Sequence, residues 1–285
     1  AEWLFKHLRA QEWITNHDGY AWFNGYYDND GQRVEGDHAQ GVRMTLTGQV
    51  FTLMSGVASD EQARLIARAA DRYLYDARVG GYRLNTDFGE VLLNLGRCFG
   101  FAFGHKENGA MFSHMAVMYA NALYRRGLID EGHRVLNELY QHCQNFSVSR
   151  MYPGLPEYVS PRGRGLYPYL TGAASWYLLT LVTEVFGVKG ALGDLMLSPK
   201  LVPAQFDAAG RASVSTLFAG RSLTIVYHNP SGLDHDLYQI ERVTLDGAEI
   251  AFERRAGTIV IARSTIELLN TAQSHTLEVS LTAKS

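Results

Sequence analysis

The 285-residue chain sets 26 Lys and Arg against 29 Asp and Glu, for a formal net charge of −3, and 46% of it is hydrophobic, which is enough to bury one large domain or two moderate ones. With slight acidity and no basic run, it does not read as a nucleic-acid binder that works by neutralising phosphates. No apolar run is long enough to span a bilayer and the start shows no signal-peptide pattern, so neither a membrane partner nor secretion is expected.

The two cysteines, Cys98 and Cys143, lack metal-ligand spacing, so no metal site is expected. Free thiols in a cytoplasmic, reducing setting are the plainer expectation, with a disulfide between them left open. In chain order, Trp3, Leu4, Leu8 and Trp13 recur at helical spacing from Glu2 to Ile14, and Asn16 to Gly19 supply the stop. Asp28-Asn29-Asp30-Gly31 then reads as a turn in a short hairpin or loop. Met44 to Gly56 reads as a buried helix with Gln49 at its middle, and Ser59-Asp60-Glu61 opens an amphipathic one through Tyr75, completing a helical hairpin. Gly80 to Arg97 is irregular.

Next comes GHKENGAMFSH, Gly104 to His114, which leads into a helix from Ala110 to Arg126 that is apolar on nearly every side. Ile129 to Cys143 is its amphipathic outer partner. Ser147 to Pro168 is a long loop with four prolines and the cluster Arg162-Gly163-Arg164-Gly165, and loops of that length in compact proteins are usually functional. A second polar knot, YPYLTGAASW at Tyr167 to Trp176, runs into a third apolar helix, Gly172 to Phe186. Beyond Gly193 the pattern turns to period two, with Asp246-Gly247 as a hairpin turn. The expected organisation is a helical domain over 1–190 that carries the site and an antiparallel, sandwich-like β-domain over 191–285.

Inner and outer helices paired by loops are how an (α/α) toroid is built, and about six helices make roughly half of a six-hairpin ring. The chain also opens inside a helix, so it is expected to be a piece of something longer. Gly104 to His114 places a cation, a carboxylate, an amide, a glycine turn and an imidazole at the mouth of an apolar helix, a composition suited to a polar pocket. The two loop-to-helix junctions suggest one shared pocket.

KENGAMFSH at 106–114, LTGAASW at 170–176, DGYAWFNGYYDNDG near the start and GDLMLSPKL at 193–201 together resemble the inverting sugar phosphorylases of glycoside hydrolase family 94. The loops GHKENGAMFSH and RMYPGLPEY are most similar to its 1,2-β-oligoglucan phosphorylases. The resemblance implies an (α/α)6 barrel, of which this chain would hold the second half, followed by a C-terminal β-domain. It implies no cofactor, with inorganic phosphate as co-substrate and a β-linked gluco-oligosaccharide as partner. It assigns phosphate binding to His114, Thr171 and Gly172, and acceptor-sugar binding to Glu107. An aromatic six residues before that glutamate, a tyrosine in cellobiose phosphorylases, is Phe101 here, so a hydroxyl contact to the leaving sugar is lost. Asn108 and Arg162 join the substrate-binding candidates. The family's acid is the aspartate of a GDWND motif, which does not occur in this chain, so no catalytic residue is expected within it and the fragment alone is expected to be inactive, with self-association or the missing N-terminal half covering its open face.

An imidazole, a hydroxyl and backbone N–H groups at a helix start are the donors that holding phosphate in line requires. From the residues alone other roles stay open: a core histidine at 114, an N-cap at Thr171-Gly172 and a first-turn carboxylate at Glu107. Lys106 and His105 read as solvated loop residues. Trp22, Trp176 and the loop tyrosines suit either sugar stacking or a core. A rival expectation is an (α/α)-barrel hydrolase that pairs Glu107 with Asp28 or Glu157 and uses water. A third is a non-catalytic carbohydrate-binding or truncated chain.

Overall fold

The computed structural model describes residues 2–151, 154–169, 171–255 and 257–284. Helix α1 (Glu2–Gln11) ends before the periodicity predicts, because Trp13–Thr15 form a strand antiparallel to Ala21–Phe23. Trp13 packs edge-on against Phe23, ring centroids 4.8 Å apart, and the Asn16 side chain accepts the Tyr20 N–H at 2.9 Å. The residues read as a helix stop thus make the turn of a hairpin, where β-branched Ile14 and Thr15 fit better than in a helix.

α2 (Leu46–Ser55) stops on Gly56 in the left-handed conformation, and Gln49 at its centre is fully buried. α3 (Asp60–Tyr73) starts from a reciprocal capping box, in which Ser59 accepts the Gln62 N–H and Gln62 accepts the Ser59 N–H. α4 (Ser113–Arg125) begins later than expected because Met111–Phe112 are drawn into a strand against Tyr158–Val159. It is buried on almost every side, whereas α5 (Ile129–Gln144) buries one face led by Val135, Leu136 and Leu139. α2 packs on α4, and α4 on α5. After the short α6 (Phe146–Ser149), the proline loop holds a short hairpin that the sequence does not mark, in which Tyr158–Val159 pairs with Gly165–Leu166. α7 (Gly172–Thr180) follows.

A charged cluster anchors the Gly104–His114 loop. Asp76 accepts from Arg78 and Arg83, which hold its carboxyl far below the usual carboxylate range despite burial. Arg83 in turn donates to the Gly109 carbonyl at 2.6 Å and lies 5.4 Å from the Phe103 ring.

The chain divides into two compact units, Ala1–Tyr177 and Leu178–Ser285, the division falling inside α7. The second unit has a four-stranded antiparallel sheet, ordered Val188–Ala191, Asp194–Leu197, Thr258–Ile261, Glu253–Arg255. Its five-stranded sheet runs Arg211–Phe218, Arg221–His228, Ser274–Ala283, Tyr238–Leu245, Ala248–Glu249. One pair there, Arg221–His228 with Ser274–Ala283, is parallel, so the unit is not wholly antiparallel as the sequence leads one to expect. Asp246 and Gly247 both have positive φ, the mark of a tight hairpin turn. Among the described residues no helix is long and apolar enough to cross a membrane.

Arg83→Met leaves the Asp76 carboxylate without its buried partner and frees the Gly109 carbonyl. It is expected to lower the urea-unfolding free energy by about 3 kcal/mol. A loss no larger than that of an exposed substitution would show that the pair does not anchor the loop.

Candidate active site

The glycines at 104 and 109 have positive φ, and the Gly104 N–H donates to the Asn108 carbonyl at 2.7 Å, closing the loop on itself. Asn85 holds its far side. Its Oδ1 accepts the Gly109 N–H at 2.8 Å and its Nδ2 donates to Asn108 Oδ1 at 3.0 Å. The chain then leaves through the Met111–Phe112 strand, and the Ser113 N–H donates to the Glu157 carbonyl at 2.9 Å as α4 begins. Lys106 lies 4.1 Å from the Tyr167 ring, so the loop also meets the residues that lead into α7.

His114, in the first turn of α4, meets Gly172 at the start of α7. A Cβ on Gly172 would fall 2.5 Å from His114 Cε1 and 2.6 Å from Nδ1, so the imidazole fills the space a side chain would take. The ring lies 6.1 Å from that of Trp176, and its Nε2 is buried without a hydrogen-bond partner. Burial also pushes the His114 pKa down, which keeps the ring neutral near pH 7. Thr171 Oγ1 accepts the Ala173 N–H at 3.3 Å, the contact expected of a cap. The N-termini of two helices therefore converge where an imidazole nitrogen lacks a partner, an arrangement that favours an anion.

Beside it lies a cavity of about 240 Å³, walled by Phe112 and Met115 of the α4 start, Glu107 of the loop, and Tyr26 and Thr45 opposite. Glu107 Oε2 is buried without a hydrogen-bond partner, while Oε1 takes a contact from Arg97 Nη1 at 3.3 Å. The Arg97 guanidinium lies 5.2 Å from the Phe101 ring, so Arg97 bridges Phe101 and Glu107.

Other candidates lie differently. Asn108 is buried, with Nδ2 donating to the Phe101 carbonyl at 2.6 Å and Oδ1 accepting from Asn85, so it shapes the loop. Arg162 is exposed at the tip of the Tyr158–Val159/Gly165–Leu166 hairpin and is not among the residues lining the cavity. Leu170 of the LTGAASW motif lies outside the described residues. Trp22 is fully buried and belongs to the core, whereas Trp176 stands beside His114. Asp28 Oδ1 accepts the Asp30 and Gln32 N–H groups of its own exposed turn, at 2.9 and 2.7 Å, which leaves it poorly placed as one of two hydrolytic carboxyls.

Glu35 was not among the sequence candidates. Fully buried, it braces the cavity wall: Oε1 accepts from the Gly25 N–H at 2.8 Å and from Thr45 Oγ1 at 2.7 Å, and Oε2 from the Thr45 N–H at 2.8 Å. Burial pushes its carboxyl up to about 7, although these neutral donors favour the ionised form. In the sequence it sits among turn residues, QRVEGD, with no periodicity to mark it. Arg97 and Asn85 were equally unmarked.

Residues 4–187 match the Glycosyl hydrolase 94 superfamily, catalytic domain. The chain is 24% identical over 241 residues to the solabiose phosphorylase of Paenibacillus borealis, covering 81% of this chain and 30% of that protein. It is 25% identical over 242 residues to the N,N'-diacetylchitobiose phosphorylase of Vibrio proteolyticus, covering 82% and 29%. It is also 25% identical over 237 residues to the 3-O-beta-D-glucopyranosyl-beta-D-glucuronide phosphorylase of Paenibacillus borealis, covering 79% and 29%. The chain thus spans about three tenths of the length of these relatives.

Glu35 has a folded-state pKa above its unfolded value of 4.5. Its stabilising contribution is therefore complete below that value and is lost as pH rises through about 7. Between about pH 5 and about pH 8, wild type should lose about 3 kcal/mol more than Glu35→Gln in urea titrations. Parallel pH profiles for the two proteins would remove Glu35 as the titrating group.

Proposed function

This chain belongs to the Glycosyl hydrolase 94 superfamily through a catalytic domain at residues 4–187, and we propose that it is the phosphate- and acceptor-binding portion of an inverting glycoside phosphorylase. Its substrates in this reading are β-linked gluco-oligosaccharides and inorganic phosphate, and its product is α-glucose 1-phosphate. The observation that carries the reading is the buried, unpartnered Nε2 of His114, set against Gly172 where two helices begin.

Phosphate is already a charged nucleophile, so no base has to activate it. One phosphate oxygen attacks the anomeric carbon from the face opposite the leaving oxygen, forming the C–O–P linkage. The glycosidic C–O bond breaks, and its oxygen takes a proton from a general acid. The work left to this part of the protein is to hold the anion in line and to seat the sugar. His114, the Thr171 hydroxyl and the first N–H groups of α7 supply neutral donors that need not be stripped of counter-charge. Glu107 lines the neighbouring cavity with an unpartnered Oε2 that a sugar hydroxyl would satisfy, and Phe101 has no hydroxyl to offer.

The general acid is assigned to the part of the phosphorylase that these residues do not include. On this reading the helical unit is a portion of an (α/α)6 barrel. Its apolar hollow of about 520 Å³, lined by Leu8, Phe51, Met118 and Trp176, is covered in the whole protein by the remaining helices or by a second copy. The resemblance of the loops to 1,2-β-oligoglucan phosphorylases makes β-1,2-linked glucans the first substrates to try.

The reading is tested by offering β-1,2-, β-1,3- and β-1,4-gluco-oligosaccharides with and without phosphate. The 285-residue chain alone should release nothing, and the chain joined to a family-type upstream half should release glucose 1-phosphate only when phosphate is present. Free glucose in phosphate-free buffer would point instead to a hydrolase. In the active form, His114→Ala should raise the KM for phosphate about tenfold or more, with a smaller change for the sugar. Equal changes in both constants would place His114 outside the phosphate site.

A further inference from the structure

The second unit holds a concave site outside residues 4–187 that the proposed chemistry does not use. A cavity of about 300 Å³ opens between the Glu253–Arg255/Thr258–Ile261 hairpin of one sheet and the start of Tyr238–Leu245 in the other. Arg254, Lys284 and His235 line it, with Gln239 and Thr258 between them, and no Asp or Glu does. On a chain of net charge −3, the charged lining of this hollow is cationic.

Both cations are held by backbone carbonyls. Arg254 Nη2 donates to the Ile240 carbonyl at 2.5 Å, and its guanidinium rests 5.2 Å from the Phe252 ring. Lys284 Nζ donates to the Asp236 carbonyl at 2.6 Å, while its own N–H is tied to the Leu237 carbonyl at 2.8 Å. These bonds fix where the heads sit without neutralising them. His235 has the Asp234 carboxylate beside it at 3.9 Å, so the cationic character of the hollow rests on Arg254 and Lys284. Ile240 and Ile259 provide an apolar floor, and the Tyr238 hydroxyl is occupied with the backbone of Leu201 at 2.7 Å.

We propose that this hollow binds a phosphorylated monosaccharide, with the phosphate between Arg254 and Lys284, the hydroxyls on Gln239 and Thr258, and one ring face on the isoleucines. Two fixed cations match a dianion better than a single carboxylate. The volume lies at the lower end of what small-ligand sites occupy, which suits one sugar ring and not an oligosaccharide. The site requires no chemistry and is independent of the phosphorolysis reading, since none of its residues lies in the matched catalytic domain.

The test is calorimetric titration of the full chain with glucose 6-phosphate, with glucose and inorganic phosphate as separate arms. Binding is expected for glucose 6-phosphate, weaker in added salt, and reduced about tenfold or more in Arg254→Gln/Lys284→Gln. Both side chains are exposed, so the double variant should keep its thermal midpoint, and that measurement is run alongside. His114→Ala should bind as wild type does. Undiminished binding in the double variant, loss of binding in His114→Ala, or no binding into the millimolar range would each overturn the proposal. Glucose or inorganic phosphate binding as tightly as glucose 6-phosphate would overturn the sugar-phosphate assignment.

Discussion

Everything at the candidate site depends on the contact between the His114 imidazole and the backbone at Gly172. With no side chain there, α7 can start against the first turn of α4, and the ring takes the volume that a Cβ would need. The contact brings two positive helix ends together beside a buried ring nitrogen that has no partner. An imidazole kept neutral by burial offers a donor at little electrostatic cost when the site is empty, and gains most when an anion arrives.

That contact is held in place from behind the loop. The asparagine at 85 and the Asp76–Arg83 pair secure the loop from behind, one through the Gly109 N–H and the other through its carbonyl. The three-stranded sheet built from Met111–Phe112, Tyr158–Val159 and Gly165–Leu166 ties the exit of that loop to the proline-rich segment. Across the cavity, Glu35 does the corresponding work for Gly25 and Thr45. Gly25 and Gly48 also press their backbones together there, with room for no side chain at either. A cavity with walls braced on both sides needs little reorganisation to accept a ligand, which is the arrangement that positioning catalysis requires.

The second unit is built on different rules. Its strands alternate buried and exposed residues, its hairpin at Asp246-Gly247 uses the two positive-φ positions that such turns need, and a buried carboxylate, Glu184, is matched by Lys189 and Lys200 at 2.8 and 3.1 Å. Against that pattern of matched charge, the Arg254 and Lys284 hollow is the exception, since both cations end on carbonyl oxygens.

Much was legible in the sequence because it is local. Capping residues such as Ser59 and Gln62, the apolar α4, the amphipathic α5 and the period-two strands beyond Gly193 all announce themselves within a few residues, and the family motifs directed attention to His114, Thr171 and Gly172. The sequence by itself therefore determined most of the kinds of elements, their order and the family. The tertiary structure alone decided that His114 lies on Gly172, that Trp13–Thr15 leave the helix for a strand, that the Arg221–His228 and Ser274–Ala283 strands run parallel, and that Glu35, Asn85 and Arg97 gather around the cavity. The physical reason is that helix, turn and strand preferences act between near neighbours, whereas a site is made of side chains and carbonyls far apart in the chain, whose meeting depends on packing that no short stretch encodes.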